Sequence, residues 1–252
     1  MNAFDLTGRV ALVTGGNSGI GAGIAHGFAA AGATVVITGR DAGKTAAVLE
    51  TLRALRPDAQ ALALDVTDRQ ALEATTEALI AQHGRIDVLV NNAGNSHFSG
   101  GILRESPEVW DQTFATHSTA TFLLSRAVAA HMKQQGGGKI INIASLYSTF
   151  GSGDLPSYSA TKGAIVQLTK SMAVELARHN IQVNAIAPGW IMTEMTRDVP
   201  GTDFEKEVLA RTPARRWGTP EDLAGTAVYL AAPASDFVTG VVVTVDGGYT
   251  VR

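Results

Sequence analysis

A short apolar run rich in β-branched residues, Arg9 to Thr14 (RVALVT), is followed at once by Gly15, Gly16, Asn17, Ser18, Gly19, Ile20 and Gly21, and then by a helical pattern to about Ala31. A strand that passes through a glycine turn into a helix presents free backbone N–H groups at the helix N-terminus, where a phosphate is favoured. The spacing is G-x-x-x-G-x-G, not the commoner G-x-G-x-x-G. The flanking strand and helix supply the context that a dinucleotide turn requires. Gly15, Asn17, Ser18, Gly19, Ile20 and Gly21 are therefore expected at a cofactor. The plain alternative is an ordinary strand-to-helix turn with extra glycine.

The same alternation continues to the end of the chain. A strand from Ala33 to Thr38 ends in Gly39 and Arg40. In NAD-specific folds an acidic residue near this place takes the adenine ribose 2′-OH. Glycine stands there instead, with an arginine beside it. Missing repulsion and an added guanidinium suit a 2′-phosphate, so NADP(H) is preferred over NAD(H), which stays possible. A helix from Ala42 to Leu55 leads to a strand from Ala59 to Leu64, then Asp65 and Val66. Asp65 could accept from the adenine amino group or cap the helix starting near Arg69. A strand from Val88 to Val90 ends in Asn91, Asn92, Ala93 and Gly94, small and amide residues that allow close backbone approach to a ligand.

One long helix is expected from about Pro107 to Gln134, stopped by Gly136, Gly137 and Gly138. A strand from Lys139 to Ala144 precedes a helix from Pro156 to about His179, a strand from Ile181 to Ala187, a helix from Pro220 to Ala232 and a strand from Val241 to Val245. Strands alternating with helices imply a single α/β domain over 1–252, a Rossmann-type doubly wound parallel sheet with helices on both faces. The stretch 190–220 is too long for a plain connection and is expected to be a substrate lid.

Composition narrows the possible partners. Net charge is −3 with no basic run, so nucleic acid is not expected. There is no cysteine, hence no disulfide framework and no thiolate metal site, and no metal is expected. No apolar run approaches about 18 residues, so no membrane span is expected. The first residues carry no charged-then-apolar signal pattern, and the expected location is cytoplasmic.

The chemistry concentrates in Ser145 to Lys162 (SLYSTFGSGDLPSYSATK). Tyr158 and Lys162 are four residues apart on a helix and share one face. A free phenol has a pKa of about 10, and a fixed cation beside it favours the phenolate. Ser145, at the preceding strand end, could hold a carbonyl or alcohol oxygen beside that phenol. Together they make a general acid/base site for an oxygen that gains or loses a proton as hydride moves. Taken alone, the pair is weak evidence, because an exposed helix contact gives the same spacing.

Five ordered segments bring the chain into resemblance with the classical short-chain dehydrogenase/reductase family: TGGNSGIG at Thr14–Gly21, NNAG at Asn91–Gly94, Ser145, YSATK at Tyr158–Lys162, and the Pro188–Gly189 pair followed by Thr193. The resemblance covers essentially the whole chain. It implies Tyr158 as acid/base, Lys162 as the residue that binds the nicotinamide ribose and lowers the tyrosine pKa, and Ser145 as substrate orienter. It implies Thr193 as partner of the nicotinamide carboxamide, with Asn92, Ala93, Gly94, Pro188, Gly189 and Ile191 as further cofactor contacts. It also implies a homotetramer. One position departs: His117 stands where the family has an asparagine linked to a water-mediated proton path. His117 is expected to hold that water, its protonation marking the pH profile near neutrality.

Further stretches, VELARHNIQVNAIAPG, RTPARRWGTPEDL and ASDFVTG, resemble the gluconate 5-dehydrogenase and deoxygluconate dehydrogenase branch. The expected activity is hydride transfer between NADP(H) and a secondary alcohol or ketone on a small-molecule sugar acid or polyol. Reduction of a 3-oxoacyl thioester or hydrophobic ketone is the alternative, with Tyr147, Phe150, Trp190, Met192 and Met195 as an apolar wall. A non-catalytic cofactor-binding regulator is the third reading. Arg104, Arg215 and Arg216 are candidate partners of a substrate carboxylate.

Overall fold

A computed structural model describes residues 2–252. Seven strands, β1 (Val10–Val13), β2 (Thr34–Gly39), β3 (Gln60–Ala63), β4 (Val88–Asn91), β5 (Gly138–Ile143), β6 (Ile181–Pro188) and β7 (Val242–Val245), pair in the order β3-β2-β1-β4-β5-β6-β7. Every pairing is parallel. Parallel strands covered on both faces read as unbroken apolar runs, and β1 and β6 are buried along their whole length.

The helices are α1 (Gly19–Ala30), α2 (Ala42–Leu55), α3 (Arg69–His83), α4 (Pro107–Phe114), α5 (Ala120–Gln135), α6 (Pro156–Leu176), α7 (Asp203–Arg211) and α8 (Pro220–Ala231). Ile24 and Phe28 of α1, Leu52 of α2, and Leu223 and Leu230 of α8 fill one layer of the core. Leu72 and Leu79 of α3, Leu124, Val128 and Met132 of α5, and Met172 of α6 fill the other. Each fully buried side chain of this size contributes about 1.5–3 kcal/mol. From β1 the chain winds outward to β3, then returns to β4 on the other side of β1. That reversal opens a crevice beyond the carboxyl ends of β1 and β4, the place where such sheets bind ligands.

Three local features differ from expectation. The helix expected from Pro107 to Gln134 is interrupted by a wide π-type turn, Ala115–Thr119, in which the Ala120 N–H reaches back five residues to the Ala115 carbonyl. No glycine or proline marks the interruption, so nothing in local propensity announces it. Asp68, not Asp65, caps α3, accepting from the N–H groups of Gln70 and Ala71. Asp65 instead folds onto Thr67. The α6 helix ends at Leu176, and Ala177–His179 form a tighter 3₁₀ turn closed by Asn180 at φ 58°.

Candidate active site

The crevice is a cleft of about 710 Å³. At its floor Ser18 begins α1 without using its side chain as a cap. The first-turn N–H groups of α1 are thus left for a ligand. Gly19 has φ +49°, and a Cβ there would press on Thr193, so the turn and the 190–220 segment meet over the cradle. A Cβ on Gly21 would overlap the Gly15 carbonyl oxygen and the Asn92 amide. Gly21 does not line the cleft; it lets α1 start close against the ends of β1 and β4. Every other residue expected at the cofactor lines the cleft.

Asn92 and Ala93 are fixed by Thr14. Its hydroxyl accepts from both backbone N–H groups at 3.0 and 3.1 Å, and the Asn92 amide donates to the Thr14 carbonyl at 2.9 Å. Arg40 stands at the open end of the cleft, 68% exposed and 3.6 Å from the Asp65 carboxylate. A cradle of unused N–H groups at one place and an unburied guanidinium at another fit a nicotinamide dinucleotide bearing an extra phosphate.

The catalytic candidates converge from three elements. Ser145 follows β5. Its hydroxyl accepts from the Tyr147 N–H at 3.2 Å, and its own N–H donates to Ser148 Oγ at 3.2 Å. Ser148 Oγ in turn donates to the Lys162 carbonyl at 2.9 Å, tying the serine turn to α6. Lys162 Nζ lies 5.4 Å from the Tyr158 ring centre and donates to the Ile143 carbonyl at 2.7 Å.

Burial pushes the Tyr158 phenol up to about 12, with the Ser145 hydrogen bond pulling the other way. This is opposite to the direction expected from the lysine. The ammonium is turned toward the Ile143 carbonyl, and loss of water around the phenolate sets the direction. Burial also pushes Lys162 down to about 7.

Beneath these groups runs a buried polar chain. Asn91 Nδ2 donates to Ser125 Oγ at 2.9 Å and to Asn142 Oδ1 at 2.8 Å, and Asn142 Nδ2 donates to Thr169 Oγ1 at 2.9 Å. It joins β4, α5, β5 and α6 in one satisfied network.

The wide turn carries His117 inward, where it is buried. Its ring meets Tyr158 edge-to-face at 5.3 Å. Nε2 lies 2.7 Å from the Asn95 carbonyl and 3.3 Å from the Asn95 N–H. The carbonyl contact is shorter and a carbonyl can only accept, so Nε2 carries the proton. Nδ1 is then a buried acceptor with no protein partner. Burial, reinforced by the Lys162 charge, pushes His117 down to about 3. The expected titration of His117 near neutral pH is corrected accordingly: the imidazole stays neutral there.

The carboxylate candidates do not reach the site. Arg215 donates to the Leu209 and Ala210 carbonyls, Arg216 forks onto Asp222, and neither these nor Arg104 lines the cleft. Of the expected apolar wall, Tyr147, Trp190 and Met195 line it; Phe150 stands behind Tyr147, and Met192 lies outside. Residues not anticipated from sequence include Lys44, Asn95, Phe98, Thr116, Glu194 and Arg197. Only Lys44, four positions after Arg40 at a helix start, left a readable sign.

The chain belongs to the short-chain dehydrogenase/reductase family: a family model described as enoyl-(acyl carrier protein) reductase matches residues 15–250. It is an oxidoreductase of the NAD(P)-dependent kind that acts on CH–OH groups. A 2-dehydro-3-deoxy-D-gluconate 5-dehydrogenase of Dickeya dadantii is 42% identical, covering 100% of this chain and 99% of that one. The gluconate 5-dehydrogenase of Gluconobacter oxydans is 42% identical, with 98% and 97% covered. A crystal structure of a gluconate 5-dehydrogenase from Burkholderia cenocepacia, in complex with NADP and tartrate, superposes with a TM-score of 0.95 at 40% identity, covering 100% of this chain and 98% of that one.

Proposed function

We propose that the protein interconverts a secondary alcohol and a ketone on a sugar acid or polyol with NADP(H). The observation that carries this reading is the convergence of Ser145, Tyr158 and Lys162 on a cleft whose other end has Arg40 beside a glycine instead of an acid. The full-length relatives with sugar-acid activities support the substrate class. NADP(H), when bound, supplies or accepts the hydride.

The protein's own groups handle the proton. Tyr158 takes it from the substrate hydroxyl in oxidation and returns it to the carbonyl oxygen in reduction. Ser145 donates to that oxygen and holds it beside the phenol. Lys162 in its charged form favours the phenolate and binds the ribose of the nicotinamide half. The unpartnered Nδ1 of His117 accepts from a water that carries the proton path onward. The 190–220 segment closes over the bound pair as a lid, with Thr193 at the nicotinamide end.

The description of the family model favours an acyl-thioester substrate, and the aromatic wall of Tyr147, Trp190 and Phe98 suits a hydrophobic ketone as a second reading. Higher catalytic efficiency on 5-keto- or 3-deoxy-sugar acids than on 3-oxoacyl thioesters, assayed with NADP(H) and NAD(H) side by side, supports the first reading; the reverse order replaces it. Turnover on any ketone removes the non-catalytic regulator. Exposed Phe122 on α5, Val174 on α6 and Val241 before β7 suit burial between subunits of a homotetramer, which light scattering of the purified protein tests. The cytoplasm is the compartment we assign.

A further inference from the structure

Gly39, at the end of β2, faces Asn17 of the glycine turn. A Cβ on Gly39 would overlap Asn17 Nδ2 and Cγ and stand 2.7 Å from Asn17 Oδ1. The amide is not a loose end that swings aside. Asn17 is only 9% exposed. Its Nδ2 donates to Thr45 Oγ1 at 3.1 Å, and Thr45 Oγ1 spends its own proton on the Asp41 carbonyl at 2.6 Å. The threonine can therefore only accept from Asn17, which fixes the amide's orientation. Rotation would break that bond.

Gly39 is also where an acid would stand to read a ribose 2′-OH. The volume its Cβ requires is already filled by Asn17. The second Nδ2 hydrogen has no acceptor in the protein, and Asn17 lines the cofactor cleft alongside Arg40.

We propose that Asn17 is a cofactor-specificity residue: pinned by Thr45, it forms a steric interlock with Gly39 that denies an acid the ribose-reading position and offers an amide donor to the 2′-phosphate edge. Cofactor preference thus depends on two positions acting together, and the arginine supplies only part of it. This rests on the NADP(H) reading above. That reading fails separately if the unaltered protein binds NADH more tightly than NADPH.

The test is fluorescence titration of NADPH and NADH against the wild type, Gly39→Ala, Gly39→Asp and Asn17→Ala, and the doubles Asn17→Ala/Gly39→Ala and Asn17→Ala/Gly39→Asp. Gly39→Ala adds no charge. It should weaken both cofactors about tenfold or more, the usual cost of overpacking, and do almost nothing once Asn17 is alanine. Gly39→Asp alone should lose NADPH without gaining NADH, whereas Asn17→Ala/Gly39→Asp should bind NADH more tightly than NADPH. Should a Gly39 variant fail to fold by circular dichroism, the interlock requires Asn17→Ala to restore its folding. The proposal is overturned if Gly39→Asp inverts the preference as fully as the double variant, if Gly39→Ala costs the same in both backgrounds, or if the folding defect persists without Asn17.

Discussion

The floor of the cleft and the 190–220 segment above it are held by different forces. The floor rests on buried groups. Asn91, Asn142, Thr169 and Ser125 satisfy one another inside the sheet and its helices, and Ser148 ties the Ser145 turn to α6. The segment above buries Ile191, Val208, Thr212 and Trp217, but its ion pairs lie at the surface. Glu194 pairs with Lys44 of α2 and with Arg197, and Arg216 with Asp222, all with exposed or half-exposed side chains. Exposed pairs are worth about 0–1 kcal/mol each, whereas a buried polar group left unpaired costs about 1–3 kcal/mol. Proton transfer needs atoms fixed to a fraction of an ångström, and it is placed on the rigid side. Admission of cofactor and substrate needs motion, and surface ion pairs of this kind cost little to release.

This contrast can be broken at several points. The largest effect is expected beneath the catalytic groups. Asn142→Ala removes the partner of both Asn91 and Thr169, and stability to denaturant should fall by about 2–5 kcal/mol. A loss within experimental error would show that the network is not what holds the floor. At the open end of the cleft, Arg40→Ala should weaken NADPH by about 1.5–3 kcal/mol and leave NADH nearly unchanged, as read by titration.

His117 sharpens the picture through pH. Its folded-state pKa, about 3, lies below the ordinary 6.5. The unfolded chain binds a proton that the folded protein refuses, so stability is lost as pH falls from about 6.5 toward 3. The slope from this residue is about 1.4 kcal/mol per pH unit. Denaturation curves of His117→Asn should be flatter across that window; equal slopes would mean that His117 accepts its proton while folded. The smallest effect belongs to the covering segment. Glu194→Gln should change stability by less than about 1 kcal/mol while raising proteolytic cleavage between residues 190 and 220. A loss as large as that of Asn142→Ala would erase the distinction between the two regions.

Much of the floor was legible in the sequence because its signals are local. A strand of four apolar residues, a glycine turn and a tyrosine-lysine pair one helical turn apart each declare themselves within a few positions. The parallel order of the sheet followed from alternation alone. What escaped reading depends on contacts across the chain. Nothing near Ala115–Thr119 breaks helix propensity, so the wide turn that buries His117 was invisible. The Asn17–Gly39 contact joins a turn to a strand end, and Lys44–Glu194 joins residues far apart in the chain. The burial of the Tyr158 phenol was unreadable for the same reason: spacing places Lys162 on the right face, but only the fold shows how fully the phenol is enclosed and that the ammonium donates to the Ile143 carbonyl. The arginines expected near a substrate carboxylate are occupied elsewhere or lie outside the cleft, whereas Arg197, which was not anticipated, lines it.

The central claim is that the proton passes through Tyr158, held on the rigid floor, while cofactor binding is spread over the whole cleft. Tyr158→Phe tests it most directly, with turnover and NADPH affinity measured on the same preparation. The phenyl ring keeps the contact with His117 and loses the hydroxyl that carries the exchangeable proton. Turnover on a sugar-acid substrate should fall by about 10²–10⁴, with the NADPH dissociation constant unchanged within a factor of about three. Turnover that survives the substitution, or a fall in turnover matched by an equal fall in NADPH affinity, would contradict the account.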